Sequence, residues 1–205
     1  MGYTTDFNGS LKLNKKLTPE QLTYINKFSE VRHMKRDVSK LMELYKGEGG
    51  LIGITTDKTP KEIYGLDGEY YVGGNGFGGQ DRDTSIIDYN TAPGQIDYND
   101  KTMDFNTRWM ENKRREEENE CVPGLWCQWI IETPTNDEQV LCWDGNEKFY
   151  NYVEWLKYLI KHFFSKWDVL LNGEILWKGE ENGDIGKIVV TDNVVKVLTG
   201  TIVYN

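Results

Sequence analysis

The chain has 205 residues, 38% of them hydrophobic and 13% aromatic, which suits one domain of ordinary size with a substantial core. Its formal net charge of -9 argues against general nucleic-acid binding, because an acidic surface repels phosphates and the basic run Lys113–Arg115 is followed at once by three glutamates. No apolar run is long enough to span a membrane, no secretory signal opens the sequence, and three cysteines without a C-x-x-C pair predict reduced thiols in the cytoplasm.

The first half of the chain predicts one strand and one long helix. Residues 3–13 alternate between apolar and polar types, as in a strand with one buried face. Thr18 and Gln21 have the spacing of a capping box, and apolar residues then recur at steps of three and four up to Gly47. These patterns predict a single amphipathic helix, followed by an irregular segment with a short strand over 69–72.

The second half predicts a charged helix and then regular structure. Residues 101–120 have the composition of an exposed helix. Two strand-like runs, 125–132 and 139–145, surround a turn signal and predict a hairpin. Residues 149–167 repeat as a second amphipathic helix, and 173–204 hold three further strands joined by turns rich in Asn, Asp and Gly.

This order of elements predicts an α+β fold, with a mostly antiparallel sheet and two long amphipathic helices packed on one face. We expect residues 1–205 to form a single α+β domain, with a glycine-rich loop and charged insertion at about 73–122.

The run Gly74-x-Gly76-x-x-Gly79 matches the letters of a dinucleotide-binding turn. A phosphate site of that kind needs a helix directly after the glycines, and here two aspartates and a strand-like run follow instead. The segment is therefore interpreted as a surface loop or as a binding loop for another partner. Arg82 is the cation in it that could meet an anion.

No constellation of catalytic residues stands out. The two histidines, His33 and His162, lie in the predicted helices, and neither G-x-S-x-G nor H-E-x-x-H occurs. The acidic turn 180–184 is typical of an exposed hairpin turn, with a divalent-cation site as the alternative. We predict no catalytic residue, no metal site and no cofactor.

The junction between the predicted hairpin and the second helix is a candidate binding site. Trp143, Asp144, Glu147 and Tyr150 lie close together there, and clusters of acids and aromatic rings suit cations, sugars or arginine-bearing partners. The alternative is an ordinary capped helix start with large core residues.

Three large rings on the second helix form another candidate. At about 100° per residue, Trp155, Tyr158 and His162 share a flank beside the core-facing side. Either another part of the chain covers this flank, or it is exposed as an interface for a partner or a second copy, where Trp and Tyr carry much of the binding energy.

Several segments carry a family resemblance. The opening MGYTTDFNGSLKLNKKLTPEQ, the segments GLWCQW and WDGNEKFYNYVEWLKYLI, and LNGEILWKGEENGDIGKIVV near the end resemble a family of uncharacterised bacterial and bacteriophage proteins. The likeness leaves out the charged stretch 96–120. The family has no established activity, and the resemblance implies a small cytosolic accessory protein encoded by a phage.

Two functional hypotheses follow. We favour a non-enzymatic protein that engages or inhibits a host or defence protein through an acidic, aromatic surface, in the host cytoplasm if a phage encodes it. The alternative is a nucleotide or small-ligand binding protein or enzyme that uses the loop 73–83 and the junction 143–150. A deep pocket beside both segments would favour the alternative.

Overall fold

A computed structural model of the chain describes residues 2–55, 57–73, 84–97, 99–134 and 138–203. The chain divides into two compact units, Met1–Ile25 with Gln128–Asn205, and Asn26–Cys127. The prediction that residues 1–205 form one domain stays a prediction.

The secondary structure comprises eight strands and five α-helices over the described residues. In chain order they are β1 (Thr5–Leu13), α1 (Pro19–Glu30), β2 (Lys35–Arg36), α2 (Val38–Tyr45), α3 (Pro60–Tyr64), β3 (Ile86–Asp88), α4 (Phe105–Glu117), β4 (Trp129–Glu132), β5 (Val140–Trp143), α5 (Tyr152–Leu159), β6 (Leu171–Gly179), β7 (Ile185–Thr191) and β8 (Val194–Thr199). No described helix is long and apolar enough to cross a bilayer.

The first unit is built on a six-stranded sheet with the order β4-β5-β1-β6-β7-β8. Every pair in it is antiparallel. The predicted α+β class with a mostly antiparallel sheet is therefore confirmed, whereas the two long helices predicted with it are not. The predicted hairpin of 125–132 with 139–145 is present as β4 and β5, and the three strands near the end are β6, β7 and β8.

One face of this sheet is packed and the other is open to solvent. Leu11, Ile175 and Ile188 lie on the packed face and are fully buried. Phe7 on the same face meets the rings of Trp129 and Tyr152 edge-on, at 5.5 and 4.8 Å. Because the Trp129 Nε1–H also donates to the Tyr152 carbonyl at 2.8 Å, the start of α5 is fixed against this face.

The second predicted helix is present with a change of winding. Regular α-helix ends at Leu159, a π-helical turn covers Ile160–Phe164 and a 3₁₀ turn covers Ser165–Trp167. A π turn shifts the phase of a helix by inserting an extra residue. Phe163 and Phe164 are consequently both buried, although they are neighbours in sequence.

The prediction of one long first helix was wrong. The helix ends at Glu30, and α2 starts after Asp37, whose carboxylate accepts from the backbone N–H groups of Ser39 and Lys40 at 3.0 and 3.2 Å. Between the helices, β2 pairs with the distant strand β3. Apolar spacing continues across this break, so the periodicity alone could not reveal it.

The second unit includes a small core around α2 and α3. Leu41, Ile63, Tyr64 and Tyr71 are buried together there. The predicted strand over 69–72 was wrong: the Tyr71 N–H donates to the Gly68 carbonyl at 3.1 Å, and these residues form a turn. Tyr71 is thus a core residue held in a turn rather than in a sheet.

Replacing Trp155 should destabilise the protein strongly, because its side chain is fully buried on α5. For Trp155→Ala we expect a loss of about 3–5 kcal/mol in the free energy of unfolding, measured by urea denaturation. Lys157→Ala on the same helix is the matched control and should change it by less than about 0.5 kcal/mol. An unchanged midpoint for Trp155→Ala would mean that this ring is not part of the core.

His33 should make the stability of the protein fall with acid. Its ring is buried, and its Nε2–H donates to the Phe28 carbonyl at 2.9 Å. Burial is the main cause that lowers the pKa of His33 to about 3 from the ordinary 6.5.

Between pH 6.5 and pH 3 the unfolded chain binds a proton at His33 while the folded chain does not. His33 therefore leaves the free energy of unfolding unchanged above pH 6.5 and lowers it progressively as the pH falls from 6.5 towards 3. Between pH 7 and pH 5 the His33 contribution should fall by about 2 kcal/mol. Urea denaturation of His33→Gln at both values tests this: the drop should be smaller than in the native chain by that amount, and an identical drop would contradict it.

Candidate functional site

Of the two alternatives for the flank of the second helix, covered by the chain or exposed as an interface, the structure supports the first. Trp155 and Tyr158 are buried, and their rings meet edge-on at 6.0 Å. His162 stacks on the Tyr158 ring at 4.1 Å and is only partly exposed. The interpretation of this flank as an exposed surface is therefore corrected, because a partner could not reach the two larger rings.

The predicted junction site is a loop held by its own hydrogen bonds. Trp143 donates from Nε1 to the Gln128 side-chain oxygen at 3.0 Å and to the Asn146 carbonyl at 3.1 Å. The Asp144 carboxylate accepts from the Asn146 backbone N–H at 2.9 Å and from its side-chain amide at 2.7 Å. These groups shape the loop, which accounts for Trp143 and Asp144 without any ligand.

Among the described residues of the junction, the side chains of Glu147 and Tyr150 are not part of this hydrogen-bonded loop core. Glu147 and Tyr150 are exposed, and the Tyr150 hydroxyl accepts from the Tyr3 backbone N–H at 3.1 Å. Gly76, Gly79 and Arg82 of the glycine-rich loop lie outside the described residues.

The acidic turn between β6 and β7 ties down the start of the chain. The Tyr3 hydroxyl donates to Asp184 at 2.5 Å, and Glu180 accepts from the Thr4 backbone N–H at 2.6 Å. The hydrogen bond to Asp184 is the main cause that raises the pKa of Tyr3. Three or more metal-binding side chains do not cluster anywhere in the described part of the chain.

The cysteines have the chemistry of core residues. Burial raises the pKa of both the Cys121 and the Cys142 thiol to about 12. Since the thiolate is the nucleophile, neither thiol is activated for covalent chemistry at neutral pH.

Helix α4 is unusual because the side chains it buries are polar. Arg108, Asn112 and Glu116 recur at every fourth position and are only 7%, 2% and 4% exposed. Their partners come from the segment that precedes the helix. Asn112 exchanges two hydrogen bonds with the Ile96 backbone, at 2.7 and 3.1 Å, and Glu116 accepts from the Gln95 side chain at 3.0 Å.

We call Arg108, Asn112 and Glu116 the polar stripe of α4, and Arg108 also makes hydrogen bonds to the preceding segment. The Arg108 guanidinium donates to the backbone carbonyls of Asp97 and Asp100. A further contact comes from Arg115, which donates to the Gly94 carbonyl at 2.8 Å. Helix α4 is thus anchored by hydrogen bonds to backbone and amide groups instead of by an apolar face.

As a consequence, the large apolar side chains of α4 are turned outward. Phe105, Trp109 and Met110 are 64%, 50% and 64% exposed. At about 100° per residue, Trp109 and Met110 lie on one flank of the polar stripe, whereas Phe105 lies within the arc of the stripe and is exposed at the first position of the helix. Met103, just before the helix, is exposed as well. We call these four residues, Met103, Phe105, Trp109 and Met110, the α4 patch.

Charged residues adjoin the α4 patch along the chain, and those at the start of the helix are mostly acidic. Asp104 caps α4 by accepting from the Thr107 N–H at 3.0 Å, and a hydrogen bond from the Thr102 side chain is the main cause that lowers the pKa of Asp100. The hydrogen bond from Arg114, and then that from Arg115, lowers the pKa of Glu111 to about 2. The side-chain hydrogen bond from Thr107 is the main cause that lowers the pKa of Asp104, so all three carboxylates stay ionised near neutral pH.

Sequence reasoning placed a charged exposed helix at 101–120 but did not find the α4 patch. A usable signal was present, because Phe105, Trp109 and Met110 are large apolar residues within a segment otherwise dominated by charge. In such a helix the apolar residues need not mark the buried side.

A cavity lies on the open face of the first unit. Its volume is about 780 Å³, and its lining includes Asp6, Asn8, Leu176, Lys178, Lys187 and Leu198. None of its lining residues belongs to the junction 143–150. This cavity therefore gives no support to a ligand site that uses that junction.

Removing the amide of Asn112 should loosen α4. Asn112→Ala leaves the Ile96 backbone N–H and carbonyl without these partners, so we expect a loss of about 2 kcal/mol in the free energy of unfolding. Urea denaturation measures it, and hydrogen exchange should speed up along α4. Asn106→Ala, an exposed position of the same helix, should leave both unchanged. Equal stability of the two variants would show that α4 is not held by this contact.

Comparison with known proteins finds no matching family model, no matching curated protein and no matching solved structure. The resemblance to bacterial and bacteriophage proteins stays a prediction.

Proposed function

We propose that this protein is a non-enzymatic binding protein that engages another protein through the α4 patch. The observation that carries the proposal is the reversed burial of α4, with Arg108, Asn112 and Glu116 inside and Phe105, Trp109 and Met110 outside. A helix held by its polar side can present its apolar side without losing its own support.

The composition of the α4 patch is that of a binding surface. Trp is enriched among the residues that dominate interface energies, and Met adapts to irregular partner surfaces. Trp109 is half exposed, and its indole N–H makes no hydrogen bond to any residue that the structure describes. This N–H can therefore donate to a partner. Contiguous exposed apolar groups on a rigid helix mark interaction sites more often than scattered single ones.

Electrostatics defines the chemistry of the partner. The chain carries a net charge of -9, and Asp100 and Asp104 lie at the start of α4 near the apolar residues. Complementary charge speeds association and rejects wrong partners. The proposed partner therefore presents apolar side chains flanked by Lys or Arg. Following the family resemblance, we propose a host or defence protein in the cytoplasm of a phage-infected cell as its source.

Substituting Trp109 should weaken binding to a partner of this chemistry. The probe is a labelled synthetic amphipathic helix with a Leu face and a Lys face, and fluorescence anisotropy measures its binding. We expect the native chain to bind this peptide and Trp109→Ser to bind it at least about tenfold more weakly. The reason is that a Trp that becomes buried on binding contributes about 2 kcal/mol or more at interfaces.

Two controls separate the α4 patch from general attraction to an acidic protein. Leu44→Ser, at a similarly exposed residue of α2, should bind like the native chain. A second peptide with Glu in place of Lys should bind much more weakly. If Trp109→Ser binds as tightly as the native chain, or if the Glu peptide binds equally well, the proposal is wrong.

A further inference from the structure

Strand β8 forms an open edge of the six-stranded sheet. It pairs with β7 on one side, and no strand of the described residues lies on its other side. Four of its six residues are Val or Leu, and Val194, Val197 and Leu198 are exposed. Open edges of this kind are usually blunted by proline, by bulges or by several charges. Here the register with β7 is continuous, and Lys196 is the one charged residue in the strand.

The turn between β7 and β8 determines which backbone groups face outward. Asp192 and Asn193 both have positive φ, 47° and 68°, as the two-residue type I′ hairpin requires. Such a turn makes Thr191 and Val194 a hydrogen-bonded pair, and pairs then alternate along the ladder. In agreement with this alternation, the Gly200 N–H donates to the Ile185 carbonyl at 2.7 Å.

It follows that Val195, Val197 and Thr199 direct their N–H and carbonyl groups away from β7. These are six hydrogen-bonding groups along one open edge. Val194, Lys196 and Leu198 direct theirs towards β7 and are already paired. An extended strand that pairs with β8 must therefore register on the three outward-facing residues.

We infer that β8 pairs with β8 of a second copy of this chain, antiparallel and with Val197 opposite Val197 on the two-fold axis. This register sets Val195 opposite Thr199 of the other copy, so all six outward groups are satisfied. It also sets Lys196 opposite Leu198 instead of opposite the other Lys196. A register centred on Lys196 would bring like charges together and leave no hydrogen-bonded pair at the centre.

Charge favours a second copy at this edge in spite of the acidic chain. Residues 193–203 carry a single charged side chain, Lys196, and no carboxylate side chain. Two copies can thus approach along β8 without bringing acidic side chains of this segment face to face. Because Val197 is 45% exposed, its pairing with the same residue of the other copy also buries apolar surface. The two-fold operation closes after two copies and gives a dimer.

The experiment measures the mass of the full chain by sedimentation equilibrium from low to high micromolar concentration. A strand pairing of six residues buries less than a standard interface of about 1,600 Å², so we expect a monomer–dimer equilibrium in the micromolar range. Val197→Lys places two cations opposite each other on the two-fold axis of the dimer, so it should raise the dissociation constant at least about tenfold. Leu176→Lys adds the same charge on β6, away from the edge, and should dimerise like the native chain.

Hydrogen exchange of the native chain tests the register without any substitution. With rising concentration, the amides of Val195, Val197 and Thr199 should exchange more slowly, while those of Val194, Lys196 and Leu198 stay unchanged. A native chain that remains monomeric at all concentrations would overturn the inference. A dimer that survives Val197→Lys, or one whose new protection falls on α4, would overturn it as well.

Discussion

The orientation of α4 depends on a short ladder of hydrogen bonds between its inner side and the segment 94–100. Asn112 holds the Ile96 backbone in both directions, and Arg108 and Glu116 hold groups on either side of it. Burial of polar side chains is tolerated only when their partners are supplied, and here they are supplied by backbone and amide groups. With polar groups covering the inner side, the apolar residues of the helix can serve a partner.

In the first unit, the residues that form the core and the residues that remain available to partners lie on different parts of one sheet. Its sheet uses one face for the core, where Phe7 and Trp129 pack with the start of α5. Gly186 belongs to the same arrangement, because a Cβ at that position would lie 2.2 Å from the Trp177 ring. The other face and the β8 edge are not needed for this core. Two surfaces of different chemistry are therefore available, an aromatic helix on one unit and a strand edge on the other.

Local signals in the sequence predicted local structure well. Thr18 and Gln21 make the two reciprocal capping hydrogen bonds at 3.0 and 3.2 Å, and the alternation over 3–13 is the strand β1. Features that depend on distant partners were missed. The break of the first helix reflects the pairing of β2 with β3, and the buried side of α4 reflects the Ile96 backbone. Neither partner is visible in the periodicity of the helix itself.

The same reasoning explains why the sequence left open whether Trp155 is a core residue or a surface residue. Periodicity ranks positions around a helix, but the width of the buried arc depends on what surrounds it. In α5 and its π turn this arc is wide enough to include Trp155, Tyr158 and both Phe163 and Phe164. Helix α4 differs from such a core because its own buried side chains are polar, so we expect its detachment to carry only a small change in heat capacity. Its local stability should vary almost linearly with temperature, and the helix should keep its orientation in the cold, where contacts that rest on apolar burial weaken.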